Sequence, residues 1–277
     1  MSSVRASICG LGGMGRDHLR VSQDLNFDIV STYDPMIKSN KYSTYLKTLL
    51  KCDALIIANP TKHHIKTILD AKSINPKLKI LCEKPITLMS NGKLIKADIQ
   101  YNSSVLIGQV ERFNPVCQKA IEIFDVDSII QIKTTRVNHS PPKEEVHCRK
   151  DIGIHDLDFC CSIMKELPTR IDICSTNNYY HEILLYKIKN ASIVNELSWV
   201  YPYQERTFEV LVDSGIYYGD FYNQSFFFKS HNGQRQDILV NKREPLANEL
   251  LHLKDMVVNN TSPIVTIENN LSLLELL

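Results

Sequence analysis

The run Gly10-Leu11-Gly12-Gly13-Met14-Gly15 stands between an apolar strand pattern (Val4, Ala6, Ile8) and a helix pattern carrying Leu19 and Val21. Gly-x-Gly-x-x-Gly in that setting commits the chain to a strand, a tight turn and a helix in immediate succession. The first glycine permits the turn, the second lets backbone N–H groups reach a pyrophosphate, and the third lets helix and strand pack closely. A diphosphate then sits on the positive end of the helix. Elsewhere the chain is sparing with glycine: its 277 residues contain 10, and four of them fall in this window. Such clustering marks a place where the backbone must turn sharply or let something approach.

A dinucleotide fingerprint also needs an acid about 20 residues on, at the end of the second strand, to bond ribose hydroxyls. Asp34 holds that place in Thr32-Tyr33-Asp34-Pro35. Its carboxylate repels a 2′-phosphate, so the expected cofactor is NAD, with NADP second because Lys38 lies nearby. The plainer alternative is a glycine-rich turn beside an unrelated surface aspartate.

Up to about residue 125, short apolar runs (4–9, 27–33, 54–58, 79–82 and 104–107) alternate with helix-period segments (14–24, 42–50, 63–73, 88–101 and 115–123). That rhythm predicts right-handed βαβ units and a doubly wound parallel sheet. Beyond it, strand-like runs follow one another with only turns between: 128–137, 170–176, 182–187, 192–201, 207–212, 216–221, 225–229 and 237–240. Helices are expected at 153–165 and 244–258. The predicted architecture is α/β, with an N-terminal Rossmann domain (1–124) and a C-terminal α+β domain (125–277) containing a largely antiparallel sheet.

Several function classes are closed by composition. Lys plus Arg number 32 against 31 Asp plus Glu, so no overall charge points to nucleic acid or an anionic membrane. No apolar run reaches the roughly 18 residues that cross a bilayer, and Met1-Ser2-Ser3-Val4-Arg5 lacks a secretory h-region, so a cytoplasmic protein is expected. The eight cysteines show no Cys-x-x-Cys pair and no zinc spacing, which predicts buried reduced thiols and no metal centre.

Three further motifs carry a family resemblance. Ile57-Ala58-Asn59-Pro60-Thr61-Lys62-His63-His64 follows the third strand, Glu83-Lys84-Pro85 follows the fourth, and Asp151-Ile152-Gly153-Ile154-His155-Asp156-Leu157-Asp158 opens the helix early in the second domain. In their order and spacing these resemble the glucose-fructose oxidoreductase / inositol dehydrogenase (Gfo/Idh/MocA) family, from Gly10 to Pro263-Ile264-Val265. The resemblance implies that Lys84, Asp151 and His155 form the catalytic group. It also implies that Gly10, Gly12, Gly13, Met14, Gly15, Asp34, Asn59, Pro60, His64, Glu83 and Lys84 line the cofactor.

Chemistry agrees with that assignment. Oxidising a secondary alcohol needs a base for the hydroxyl proton while hydride leaves to the nicotinamide. Asp151 and His155 share a helix face if the helix has begun by Asp151, so the carboxylate can orient the imidazole. Lys84 ends a parallel strand, where it can polarise the substrate oxygen. A solvated strand-end lysine and a surface i,i+4 pair are the plainer alternatives. His64 is read either as a cofactor contact or as a helix cap, His18 as structural, and Pro85 as fixing the chain's exit from its strand.

Gly108-Gln109-Val110-Glu111-Arg112-Phe113-Asn114-Pro115, with Glu244-Pro245-Leu246 and Glu249-Leu250, is similar to the archaeal and bacterial UDP-N-acetylglucosamine 3-dehydrogenase branch. That resemblance implies oxidation of a sugar 3-hydroxyl, with Arg112, Asn114, Lys84 and His155 on the substrate. Asn114 before Pro115 reads equally as an N-cap. The arginine-rich stretch of the family is replaced here by Val137-Asn138-His139-Ser140-Pro141-Pro142-Lys143, which leaves Lys143, Arg149 or Lys150 for phosphate. Alternative substrates are an inositol, a free sugar or a sugar acid; a non-catalytic NAD-binding sensor is the alternative of another class. The resemblance further implies a homo-dimer or homo-tetramer built on the open face of the second sheet, with no nucleic-acid or membrane partner.

Overall fold

The computed structural model describes residues 3–37, 52–87, 101–139, 147–176 and 178–277. The helix expected at 42–50, that at 88–101 except residue 101, Lys38 and Lys143 lie outside them. The chain forms two compact units, Met1–Gln109 with Leu246–Leu271, and Val110–Pro245 with Ser272–Leu277.

In the first unit β1 (Arg5–Cys9), β2 (Asp28–Tyr33), β3 (Ala54–Ile57), β4 (Lys79–Glu83) and β5 (Val105–Gly108) form a parallel sheet in the order β2-β1-β3-β4-β5. Every residue of β3 and β5 is buried, as unbroken apolar strands in a sheet covered on both faces must be. Helices α1 (Gly13–Asp24) and α2 (His64–Ile74) follow β1 and β3. The strand order reverses between β1 and β3, so the crevice of this sheet opens beyond the carboxyl ends of those two strands.

The second unit holds α3 (Pro115–Ile123), β6 (Ile129–His139), α4 (Ile154–Met164) and β7 (Thr169–Ser175), then β8 (His181–Ile188), β9 (Ala191–Ser198), β10 (Val200–Val212), β11 (Gly215–Asp220), β12 (Ser225–Ser230) and β13 (Arg235–Asp237). Its sheet runs β13-β12-β11-β10-β6-β9-β8-β7, antiparallel except where β6 meets β9. Phe159 of α4 packs on Phe208 and Phe221 with ring centroids 4.6 and 5.1 Å away, which seats that helix on one face. The α/β architecture with a second, mostly antiparallel sheet is therefore as the sequence pattern predicts.

Two strand expectations change. The run 192–201 divides at buried Trp199, whose N–H donates to the Tyr180 carbonyl at 2.8 Å, so that β10 begins afresh at Val200. The apolar run 238–240 is not a strand: β13 is Arg235–Asp237, Leu239 is 85% exposed, and only the Ile238 N–H still reaches the sheet, at the Phe226 carbonyl.

The chain also returns. Helix α5 (Pro245–Val258) and the start of α6 (Ile267–Leu276) pack in the first unit. There Lys254 Nζ donates to the Leu25 carbonyl, the Ile107 N–H to the Val265 carbonyl, and the Ile86 N–H to Asn270 Oδ1. A boundary read from local rhythm falls at 124/125; the units instead divide at 109/110 and interleave near the C terminus. Rhythm reports which elements neighbour each other along the chain and carries no signal of a later return.

Candidate active site

The turn after β1 has a Gly10 φ of +93°, and a Cβ there would strike the Ala58 backbone, as one on Gly15 would strike the Gly10 carbonyl. These two glycines are required by the protein's own packing. Gly12 and Gly13 differ: among the described residues, a Cβ on either meets nothing within 4 Å. Gly12 is the N-cap of α1, no side chain caps the helix, and its first turn carries no acid. The N–H groups at this terminus are thus open to an anion. Met14 beside them is 41% exposed.

Asp34 ends β2 with both oxygens fixed, Oδ2 by the Leu11 N–H at 2.8 Å and Oδ1 by the Met36 N–H at 2.9 Å. Each oxygen keeps a second lone pair for a hydroxyl. An open glycine cradle, an uncapped helix end and an oriented carboxylate fit the diphosphate and ribose of a dinucleotide.

The loops after β3 and β4 are joined by His64. Its Nε2 lies 2.8 Å from the Asn59 carbonyl and its Nδ1 3.0 Å from the Pro85 carbonyl. Burial holds its pKa below the ordinary 6.5, so at neutral pH it has one N–H to donate between them. The Asn59 amide donates to Thr67 Oγ1 at 3.0 Å, and Pro60 precedes a single 3-10 turn, Thr61–His63. Glu83 is 8% exposed and faces inward, its Oε1 2.8 Å from His18 Nε2. Lys84 follows on this unit, and the Lys84–Pro85 bond is cis.

In the second unit Asp151 sits in a five-residue π-helical turn, Arg149–Gly153, and His155 in the first turn of α4. The regular α-helix has therefore not begun at Asp151. Wide turns of this kind recur at functional sites. His155 is 8% exposed. The turn is anchored by Glu182 of β8, which is fully buried and was not foreseen as a site residue. Glu182 accepts from the Arg149 N–H (3.1 Å), the Cys148 thiol (3.3 Å) and the Ser175 hydroxyl (2.7 Å), and pairs with the Arg149 guanidinium. A sequence signal existed: Glu182 shares strand parity with buried Leu184, Tyr186 and Ile188.

Two of the residues expected on substrate, Arg112 and Asn114, are otherwise engaged. Arg112 Nε is 2.9 Å from Asp158 Oδ2, with its side chain 19% exposed. Asn114 is 1% exposed; its Oδ1 accepts from the Val116 N–H and its amide donates to Glu111 and to the Phe221 carbonyl. The cap and these two further bonds thus engage both polar side-chain atoms of Asn114. Nearby, buried Arg136 joins Glu111 (3.0 Å) and Asp156 (2.8 Å). Burial outweighs the Arg136 charge at Asp156 and pushes that carboxyl up to about 6.

Residues 4–99 match the Gfo/Idh/MocA family, an oxidoreductase family with an NAD-binding Rossmann fold. Among solved structures, the chain is similar to UDP-N-acetylglucosamine 3-dehydrogenase GnnA from Acidithiobacillus ferrooxidans, with a TM-score of 0.85 and 18% identity over 99% of this chain and 95% of that one. It is similar to the dehydrogenase MviM from Clostridium difficile (TM-score 0.82, 17% identity, 98% and 96% covered). A putative NADPH-dependent oxidoreductase from Desulfitobacterium hafniense gives 0.84 at 14% identity, with 99% and 93% covered. At such identities the likeness establishes the fold. Among curated protein sequences nothing matches the chain.

Proposed function

We propose that this protein is a Gfo/Idh/MocA oxidoreductase, an NAD-dependent dehydrogenase of a sugar hydroxyl, specifically the 3-hydroxyl of a nucleotide sugar such as UDP-N-acetylglucosamine. The observation that carries the cofactor half is the open Gly12-Gly13 cradle facing an oriented Asp34. The carboxylate disfavours a 2′-phosphate, which supports NAD over NADP. The substrate half is supported by the Gly108–Pro115 motif and by likeness to a fold that includes a UDP-N-acetylglucosamine 3-dehydrogenase.

The bound nicotinamide supplies a hydride acceptor. His155 acts as the base that takes the hydroxyl proton, and the Asp151 carboxylate, presented by the π-helical turn before it rather than by a shared α-helical face, supports its charged form. Lys84 holds the substrate oxygen and stabilises charge that develops on it. Glycine backbone N–H groups hold the diphosphate and Asp34 the adenosine ribose. The same reading makes the protein a cytoplasmic homo-oligomer that associates through its second sheet, where Ile171, Leu185 and Tyr203 are exposed.

A second reading, oxidation of an uncharged inositol or free sugar, is favoured by one observation: Arg112 and Arg149 are both paired with buried carboxylates, which leaves fewer cations for a diphosphate. A panel of UDP-N-acetylglucosamine, free N-acetylglucosamine and myo-inositol separates the two. The first reading predicts kcat/KM at least about tenfold higher for the nucleotide sugar, and higher values for the uncharged alcohols would select the second.

A further inference from the structure

Helix α5 carries an apolar stripe, Leu246, Leu250, Leu253 and Met256, and Glu249 lies within it with 0% exposure. A carboxyl in such a position is costly unless it is neutral or paired. Among the described residues, neither Glu249 oxygen has a hydrogen-bond partner among nitrogen donors or hydroxyls, and no lysine or arginine pairs with it. What it meets is a second buried carboxyl. Donor atoms of His18, Glu83 and Glu249 all lie within 4.8 Å of one another, brought from α1, the end of β4 and α5 of the first unit.

The rest of the cluster is already joined. His18 Nε2 and Glu83 Oε1 are 2.8 Å apart, the length of a charge-assisted hydrogen bond, and the Lys84 N–H reaches Glu83 Oε2 at 3.3 Å. With His18 in the tautomer that carries its proton on Nε2, Glu83 acts as acceptor on both oxygens, and the open end of the group is a carboxyl against a carboxyl. Two like charges so placed cannot both be ionised; one carboxyl keeps its proton and donates it to the other. Burial singles out Glu249, because Glu83 has two donors and Glu249 has none. Burial and the adjacent Glu83 charge also push the Glu249 carboxyl well above its ordinary 4.5.

We propose that Glu249 is a carboxylic acid that donates a hydrogen bond to the Glu83 carboxylate, and that it is a positioning residue for the Glu83-Lys84 segment. The chain's returning helix thereby holds the strand end that presents Lys84. The positioning, read through NAD affinity, and the link from Lys84 to hydride transfer rest on the function proposed above; the proton does not.

Infrared spectroscopy of the full-length protein labelled with [13C]glutamate, at neutral pH in H2O and D2O, tests the proton without any substrate. Expected is a protonated-glutamate C=O band that shifts in D2O, is absent from Glu249→Gln and persists in the exposed control Glu166→Gln. No band in the wild type, or a band that survives Glu249→Gln, overturns the proposal. So does a divalent metal retained stoichiometrically by the dialysed wild-type protein and lost in Glu249→Gln, since the three side chains would then be ligands. For positioning, Glu249→Gln keeps an N–H for Glu83 and should bind NAD within about twofold of wild type, while Glu249→Leu should bind about tenfold more weakly with unchanged circular dichroism. Equal NAD affinity in the Gln and Leu variants overturns the positioning role.

Discussion

Gly10 and Gly12 look alike in the sequence, yet they answer to different demands. Gly10 is held by its own fold, through a positive φ and the Ala58 backbone, whereas Gly12 borders open space. Gly10→Ala should therefore lower stability, by about 1–3 kcal/mol. Gly12→Val should leave the thermal midpoint nearly unchanged while weakening NAD binding at least about tenfold, because its side chain fills the cradle. Calorimetric titration and a melting curve on each variant check the pair; a Gly12→Val protein that binds NAD normally contradicts the cradle assignment.

Lys72 is a residue that no motif announced. It is buried in α2, where its Nζ donates to the Leu78 and Pro76 carbonyls and to Ser104 Oγ at 2.6, 3.3 and 2.5 Å. Burial, with the Lys79 charge, pulls its pKa from 10.5 to about 8. The unfolded chain then binds this proton more tightly than the folded one, so stability from this source rises between about pH 8 and 10.5 and is lost as pH falls through 8. Denaturant midpoints of wild type minus Lys72→Met should climb across that window, and a difference independent of pH contradicts it.

Among the elements, the first β-turn-α unit was fully legible, because glycine spacing, an apolar strand and an acid at the next strand end all constrain one geometry. The turn bearing Asp151 was not. Its motif was visible, but the π-helical shape depends on Glu182, some thirty residues on, and on Gly153, whose Cβ would crowd Leu197 of β9. Long-range anchors leave only a faint trace, here an acid at a buried strand position. Glu182→Gln strands the Arg149 guanidinium and should destabilise the fold by about 3 kcal/mol, measured by urea unfolding; a change below about 1 kcal/mol contradicts the anchor. Asn114 was legible as a cap by its Pro115 neighbour. Asn114→Ala should cost about 1–2 kcal/mol through the lost cap, and should leave KM for the sugar unchanged; a large KM rise with normal stability returns Asn114 to the substrate.

For the whole molecule, the chain's return is what sequence rhythm concealed. Leu250, Leu253 and Met256 of α5 are fully buried in the unit founded by residues 1–109. A chain ending at residue 244 should consequently fail to form a protease-resistant nucleotide-binding unit, as limited proteolysis with and without NAD will report. A stable, NAD-binding fragment from that truncation contradicts the interleaved arrangement.

Hydride transfer to NAD by the proposed group is the central step. The most direct measurement is NADH absorbance when purified protein meets NAD and UDP-N-acetylglucosamine, run beside His155→Ala with NAD binding measured on both. Expected are NADH from the wild type, a rate lower by at least about 100-fold in the variant, and equal NAD affinity in the two. A protein that binds NAD yet produces no NADH from this sugar or any alcohol of the panel contradicts it, as does a His155→Ala variant that turns over at the wild-type rate.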